Sequence, residues 1–191
     1  LSNKNNNNNL SYNNNNNNNN PIINFSNEKS LKFLYTNATS LNSSKLDELK
    51  LYCLNDIDII GITETWFTDK SSTVIDNYNL YNKNRNGIGG GVAIYVSNKL
   101  TSIEINDTIL NDSSIEQIWC KIIFKNETIL VGCLYRPPLI DSDYTNKLLN
   151  SIRTASNLYQ KKLVNSLVIM GDMNFRNINW TDDGPIYKNN A

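Results

Sequence analysis

The order of elements in this sequence predicts an α/β sandwich, with helices outside packed sheets. Three observations carry that expectation. "DIDIIGI" and "SLVIM" are short apolar runs of the kind found in buried strands. "SSKLDELKLYCLN" and "SDYTNKLLNSIRTASNLYQKK" repeat apolar residues at helical spacing. Between them lie several strands with antiparallel signals, so the chain is neither a regular βαβ alternation nor an all-β protein.

Asparagine dominates the start of the 191-residue chain, including Asn5–Asn9 and Asn13–Asn20. Such a tract has too little apolar area to offset its chain entropy, so residues 1–28 are expected to be disordered. Biased composition explains the tract more simply than self-association does. The ordered part, residues 29–191, opens with "LKFLYTN", a strand with Leu31, Phe33 and Tyr35 on one face. A helix follows, with Leu46, Leu49, Cys53 and Leu54 at helical spacing and Ser44 with Asp47 as a capping box. After the "DIDIIGI" strand come "YNLYNKN" and "GGVAIYVSN", joined by a glycine-rich turn at Gly87–Gly91. "IEQIWCKIIF" and "TILVGCLY" flank "KNE" and read as a hairpin. The long second helix places Tyr144, Leu148, Leu149, Ile152, Ala155 and Tyr159 on one face, and "SLVIM" is the last buried strand.

Bulk composition excludes several classes. Lys+Arg and Asp+Glu are each 18, so no global charge drives the chain toward nucleic acid or an anionic membrane. A nuclease that places a few cations locally and recruits metal stays open. Cys53, Cys120 and Cys133 lie in apolar surroundings without CxxC spacing, which argues against a disulfide framework and a zinc site. No apolar run has the length of a membrane span, and no signal peptide is visible. The chain is therefore expected inside the cell, nuclear or cytoplasmic, and not secreted. The sequon Asn37-Ala38-Thr39 then has no glycosylation role. Leu1 is not Met and the first Met is Met170, so the native start is expected to be missing. Gly89–Gly91 lack the lysine of a phosphate-binding loop and open a strand, not a helix. Trp66 and Trp119 are expected to pack in the core.

Four polar signals share one placement, just past the C-terminal end of an apolar strand. They are Asn37, Glu64, Tyr135 with Arg136, and Asp172 with Asn174. Strand ends that converge on one rim are where α/β folds put their sites. Turn or capping work accounts for any one of them alone, Asn37 above all. Together, these hard oxygen donors suit Mg²⁺, or Mn²⁺, which keep several waters. In that arrangement Glu64 holds the ion and Asp172 orients or deprotonates an attacking water. Asn174, two residues on, lies on the same side of an extended segment, and Asn37 contributes from the first strand. Arg85 is a further candidate for contact with a nucleic-acid backbone. Trp180 either packs under the site or offers a stacking face to a base.

The strings "LYTNATSL", "IGITETWF", "GGGVAIYV", "VGCLYRPP" and "VIMGDMNFRNINW" resemble the endonuclease/exonuclease/phosphatase superfamily. More narrowly, they resemble the apurinic-type endonuclease domain that non-LTR retrotransposons carry beside a reverse transcriptase. The five strings occur in family order from Leu31 to about Trp180. The resemblance implies a four-layer α/β sandwich and Mg²⁺-dependent phosphodiester hydrolysis. It places the family's metal-ligand glutamate on Glu64 and its first-strand asparagine on Asn37, as a catalytic and metal-binding residue. Its phosphate-contacting tyrosine falls on Tyr135 and its Asp-x-Asn pair on Asp172 and Asn174. Arg136, Arg85 and Trp180 are then substrate-binding candidates. The implied substrate is chromosomal DNA, nicked to leave a 3′-hydroxyl for a reverse transcriptase that follows in the full-length chain. Two departures stand out. Thr39 occupies a position where this branch often has arginine. The family also ends in an Asp-His pair, and this chain holds no histidine. The domain is therefore expected to be incomplete at its C-terminus and impaired in activity. The competing readings are a phosphatase or phospholipid hydrolase of the same superfamily, and a catalytically dead remnant or binding module.

Overall fold

Alternation along the strands decides how the layers stack. In β4 (Val92–Ser97), Val92, Ile94 and Val96 face one cluster of apolar residues, while Ala93 and Tyr95 face another. In β7 (Glu127–Tyr135), Ile129, Val131 and Cys133 share the first cluster, while Leu130 and Leu134 join a third. Each strand is thus apolar on both faces, and each face needs its own cover.

A computed structural model of the chain describes residues 30–54, 56–175 and 178–187. The asparagine-rich segment 1–28 lies outside them. Contacts separate residues 1–30 from Leu31–Ala191, and the architecture below is that of the second unit. One four-stranded sheet has the order β1 (Phe33–Asn37), β2 (Ile59–Thr63), β4, β3 (Tyr78–Lys83). The other runs β5 (Thr101–Glu104), β6 (Glu116–Phe124), β7, β8 (Ser166–Asp172). Each is mixed: β1 pairs β2 in parallel and β7 pairs β8 in parallel, while the remaining neighbours are antiparallel. β9 (Ile178–Thr181) and β10 (Gly184–Tyr187) form a separate two-stranded ribbon.

The first apolar cluster lies between the two sheets and joins Ile59, Ile94 and Val96 to Ile118, Cys120 and Met170. The second packs α1 (Ser43–Cys53) on the outer face of the first sheet through Leu46 and Leu49. The third packs α2 (Ser142–Gln160) on the second sheet through Leu148 and Ala155. The result is four layers, helix on sheet on sheet on helix. Among the described residues no helix is long and apolar enough to cross a membrane.

Local details differ from the sequence reading in places. The Ser44–Asp47 capping box does not form. Asn42 has extended backbone and accepts from Lys45 N at 3.1 Å, so the helix starts one residue before Ser44. Asp47 pairs with Lys50 at 3.0 Å instead. Leu54 caps the helix and is 79% exposed, so it does not join the buried face with Leu46 and Leu49. Trp119 is core as expected, whereas Trp66 is 39% exposed. The expected hairpin is present, and Lys125 and Asn126 take the left-handed backbone that a two-residue turn needs. Cys120 and Cys133 are buried, Cys53 is half-buried, and all three are free thiols. β1 and β8 stand at sheet edges, and there Phe33, Tyr35 and Ile169 are 37%, 38% and 36% exposed.

Gly132 faces Trp119 across the β6–β7 ladder. A Cβ on Gly132 would lie 2.4 Å from Trp119 Cζ3, and the indole is fixed by a 2.9 Å bond to Gln117. Gly132→Ala is expected to destabilise the fold by about 1–3 kcal/mol, the usual cost of overpacking a filled core. Urea denaturation followed by tryptophan fluorescence measures it.

Candidate active site

The parallel pairings bring four strand ends level. Asn37, the last residue of β1, is opposite Thr63, the last of β2, and Glu64 follows. Tyr135, the last residue of β7, is opposite Asp172, the last of β8. The antiparallel strands begin at the same rim, with Val92 opposite Thr63 and Glu116 opposite Tyr135. Asn37, Glu64, Tyr135 and Asp172 therefore meet, as a rim site requires.

Two side-chain hydrogen bonds between these four residues cross from one sheet to the other. Asn37 Nδ2 donates to Asp172 Oδ2 at 3.0 Å. Tyr135 donates its hydroxyl proton to Glu64 Oε1. The other Glu64 oxygen accepts from the Trp66 indole at 2.9 Å. Asn37 Oδ1 accepts from Thr39 N at 3.1 Å and Thr39 Oγ1 at 3.2 Å. Asn37 thus presents its amide nitrogen to Asp172, and a role as metal ligand needs its oxygen released from Thr39.

Asn174 reaches Asp172 differently from the extended-segment picture. Its φ is +45°, so the chain turns after the strand. Its backbone N–H donates to Asp172 Oδ1 at 3.3 Å, while its side-chain amide donates to Arg136 O at 2.9 Å. Arg136 is occupied in holding this loop. Its Nη1 donates to Asn174 O at 3.1 Å, its Nε to Thr145 Oγ1 at 3.1 Å, and its guanidinium lies 5.0 Å from the Phe175 ring centroid. Arg85 is ion-paired to Glu116 and lies 5.8 Å from the Tyr135 centroid. The side chain of Trp180 lies outside the described residues.

Left-handed backbone gathers around the site. Thr39, Ser40, Glu64, Trp66 and Asn174 have φ between 42° and 75°, on the loops after β1, β2 and β8. Such conformations cost a side-chain-bearing residue about 1–3 kcal/mol in the less populated regions and mark places where the surroundings over-determine the chain. The β1 and β2 loops are held by Ser40 N to Glu64 O and Leu41 N to Thr65 O, both 2.9 Å.

A cleft of about 570 Å³ opens beside Asp172 and is lined by Tyr35, Asn37, Asp172, Asn174, Phe175 and Ile178. Tyr35 hydrogen-bonds Thr63 at 2.9 Å. Its hydroxyl is pushed up to about 12, first by desolvation and further by the charges of Cys133, Asp172 and Glu64, against the bond to Thr63. Burial and then the Glu64 carboxylate push the Tyr135 phenol well above its ordinary value, so it stays a proton donor.

Among the described residues no three His, Cys, Asp or Glu side chains converge as a metal cluster. The donors at the rim are carboxylate and amide oxygens, which fit a hard divalent ion that keeps most of its water. Each Glu64 oxygen accepts one hydrogen bond and retains a lone pair for an ion.

Several site residues were not foreseen. The Trp66 indole stands on Glu64, and the string "TETW" put it two residues away. Glu116 is 8% exposed and lies opposite Tyr135. Tyr144, assigned to a helix core face, also donates its hydroxyl to Tyr135 O at 2.8 Å. Glu116 begins an apolar strand, and its charge was the available signal.

Residues 40–187 match the Endonuclease/Exonuclease/phosphatase family, and the chain belongs to that family of hydrolases. Solved structures share the fold. The endonuclease domain of TRAS1, a telomere-specific non-LTR retrotransposon, superposes with a TM-score of 0.54 at 15% identity, over 76% of this chain and 59% of that one. The 3′ phosphatase NExo from Neisseria, bound to a product DNA hairpin, gives 0.53 at 14% identity, over 80% and 60%. TDP2 from C. elegans gives 0.50 at 16% identity, over 78% and 50%. The chain thus spans less than two-thirds of the length of each. No curated protein matches its sequence.

Tyr35 and Tyr144 both titrate near 12 in the folded chain, above the ordinary value of 10.0. Burial is the main cause for Tyr144 as well. In that range the folded state holds protons that the unfolded state releases, so their contribution is whole below pH 10 and is lost as pH rises through 12. Denaturation midpoints are expected to fall steeply between pH 10 and 12, with a shallower fall for Tyr144→Phe.

Proposed function

We propose that this chain carries the DNA-nicking endonuclease site of a non-LTR retrotransposon protein. The observation that supports it best is the pair of bonds at the rim, Asn37 to Asp172 and Tyr135 to Glu64. They support a reading in which Asp172 is the base and Glu64 the carboxylate that takes an ion, at one rim of a chain of the endonuclease/exonuclease/phosphatase family. The sequence motifs favour the retrotransposon branch, and the TRAS1 domain shares the fold.

In this reading Glu64 holds a Mg²⁺ ion, which when bound polarises a phosphoryl oxygen and stabilises the leaving one. Asp172 takes a proton from the attacking water, and Asn37 and the Asn174 backbone aim its carboxylate. Tyr135 keeps its proton and donates toward Glu64 or a phosphate oxygen. The cleft beside Asp172 receives the strand. The cut would leave a 3′-hydroxyl for a reverse transcriptase domain elsewhere in a longer protein. Among the described residues no arginine stands at the Thr39 position, so that phosphate contact is missing.

Supercoiled plasmid incubated with the chain and Mg²⁺ tests the proposal. Slow conversion to open circles is expected, about 10²–10³ below a site with every transition-state donor in place. Glu64→Gln and Asp172→Asn should each abolish the nicking, as should EDTA. Nicking that survives both substitutions sinks the proposal. Phosphate release from a 3′-phosphorylated oligonucleotide, without nicking, points to the phosphatase reading instead.

A further inference from the structure

Two charged residues at the rim have no part in the chemistry above. Glu116 opens β6 and is 8% exposed, and a carboxylate so buried is costly without partners. Arg85 supplies one: its Nε donates to Glu116 Oε1 at 2.9 Å and its Nη2 binds the same oxygen. The backbone N–H of Gly91 donates to Glu116 Oε2.

From this pair, connections run to both members of the Glu64–Tyr135 contact. Toward Glu64, the carbonyls of Gly90 and Gly91 accept from Trp66 N at 2.9 Å and Thr65 N at 3.3 Å. Trp66 in turn donates its indole proton to Glu64. Toward Tyr135, Glu116 is its cross-strand partner, and the Arg85 guanidinium lies over its ring. Tyr144 ties the two again, accepting from Glu116 N at 2.8 Å while donating to Tyr135 O. Gly90 closes over the pair so tightly that a Cβ would lie 2.3 Å from Glu116 Oε2 and 2.4 Å from Arg85 Nε, at a φ of +65°.

We infer that Glu116 and Arg85 are positioning residues, an ion pair that joins the two sheets and fixes the Glu64 carboxylate against the Tyr135 phenol in the geometry that takes a divalent cation. The inference rests on the reading of Glu64 as the ion's ligand. Neither residue hydrogen-bonds Glu64 itself. Their influence is that of an outer shell, which orients a ligand before the ion arrives.

Terbium titration of the 191-residue chain tests this without turnover, because Tb³⁺ seeks oxygen donors and its emission is excited through nearby rings, here Trp66 and Tyr135. Glu64→Gln should abolish the sensitised emission. Glu116→Gln and Arg85→Lys should each weaken Tb³⁺ binding about tenfold, the usual effect of an outer-shell change. Arg85→Lys keeps the charge and loses the fork, so it decides the matter if Glu116→Gln fails to fold. Leu148→Ala, a core change under α2, serves as a control that lowers Tm and should leave the affinity intact. Wild-type affinity in Arg85→Lys and in any folded Glu116→Gln overturns the inference, and so does a loss that merely tracks Tm as in Leu148→Ala. If Glu64→Gln binds Tb³⁺ as wild type does, the metal reading itself fails and takes the inference with it.

Discussion

The candidate site depends on two hydrogen bonds that span the gap between the sheets at their common rim, Asn37 to Asp172 and Tyr135 to Glu64. They form only because β1–β2 and β7–β8 are parallel pairs whose last residues fall level. A one-residue slip in either pair would turn Asp172 or Asn37 to the opposite face. The apolar residues between the sheets set the separation that those short side chains must bridge. Register within each sheet and packing between them therefore act on the same few atoms.

Polar groups at the rim carry this arrangement at a cost. Left-handed backbone at Glu64 and Trp66 is held by bonds from neighbouring loops and not by local preference, whereas Asn174 is of a type that enters that region readily. The phenol of Tyr135 is kept protonated by burial and by the acid it touches.

Much of this was legible in the sequence, for particular reasons. β2 and β7 show as apolar runs because both their faces are covered, and β8 because Leu167 packs on one side and Val168 and Met170 on the other; the hairpin turn shows because a short polar stretch divides two apolar strands. The four strand-end positions followed from those runs. β5 was missed because its four residues are mostly exposed and carry no apolar period. The ribbon of β9 and β10 was missed because polar residues surround it. Trp66 read as core because a tryptophan beside apolar strands usually is. The reversal of the chain at φ +55° that swings it to Glu64 leaves no mark in residue type. The partners of Arg136 and Arg85 were not legible, because a cation in a loop gives no hint of Thr145 on the following helix or of Glu116, 31 residues on.

The glycine over the ion pair bears on how this protein tolerates mutation. At Gly90 a side chain would have to displace Arg85 and Glu116, at a φ of +65° that is strained for most other residues. In a library of single substitutions, that position would score as sensitive, although it has no group that reacts. Gly132, pressed against Trp119, would score the same way for a reason unrelated to the site. Intolerance to change thus marks where the chain is crowded as readily as where it does chemistry, and only contact geometry tells the two apart.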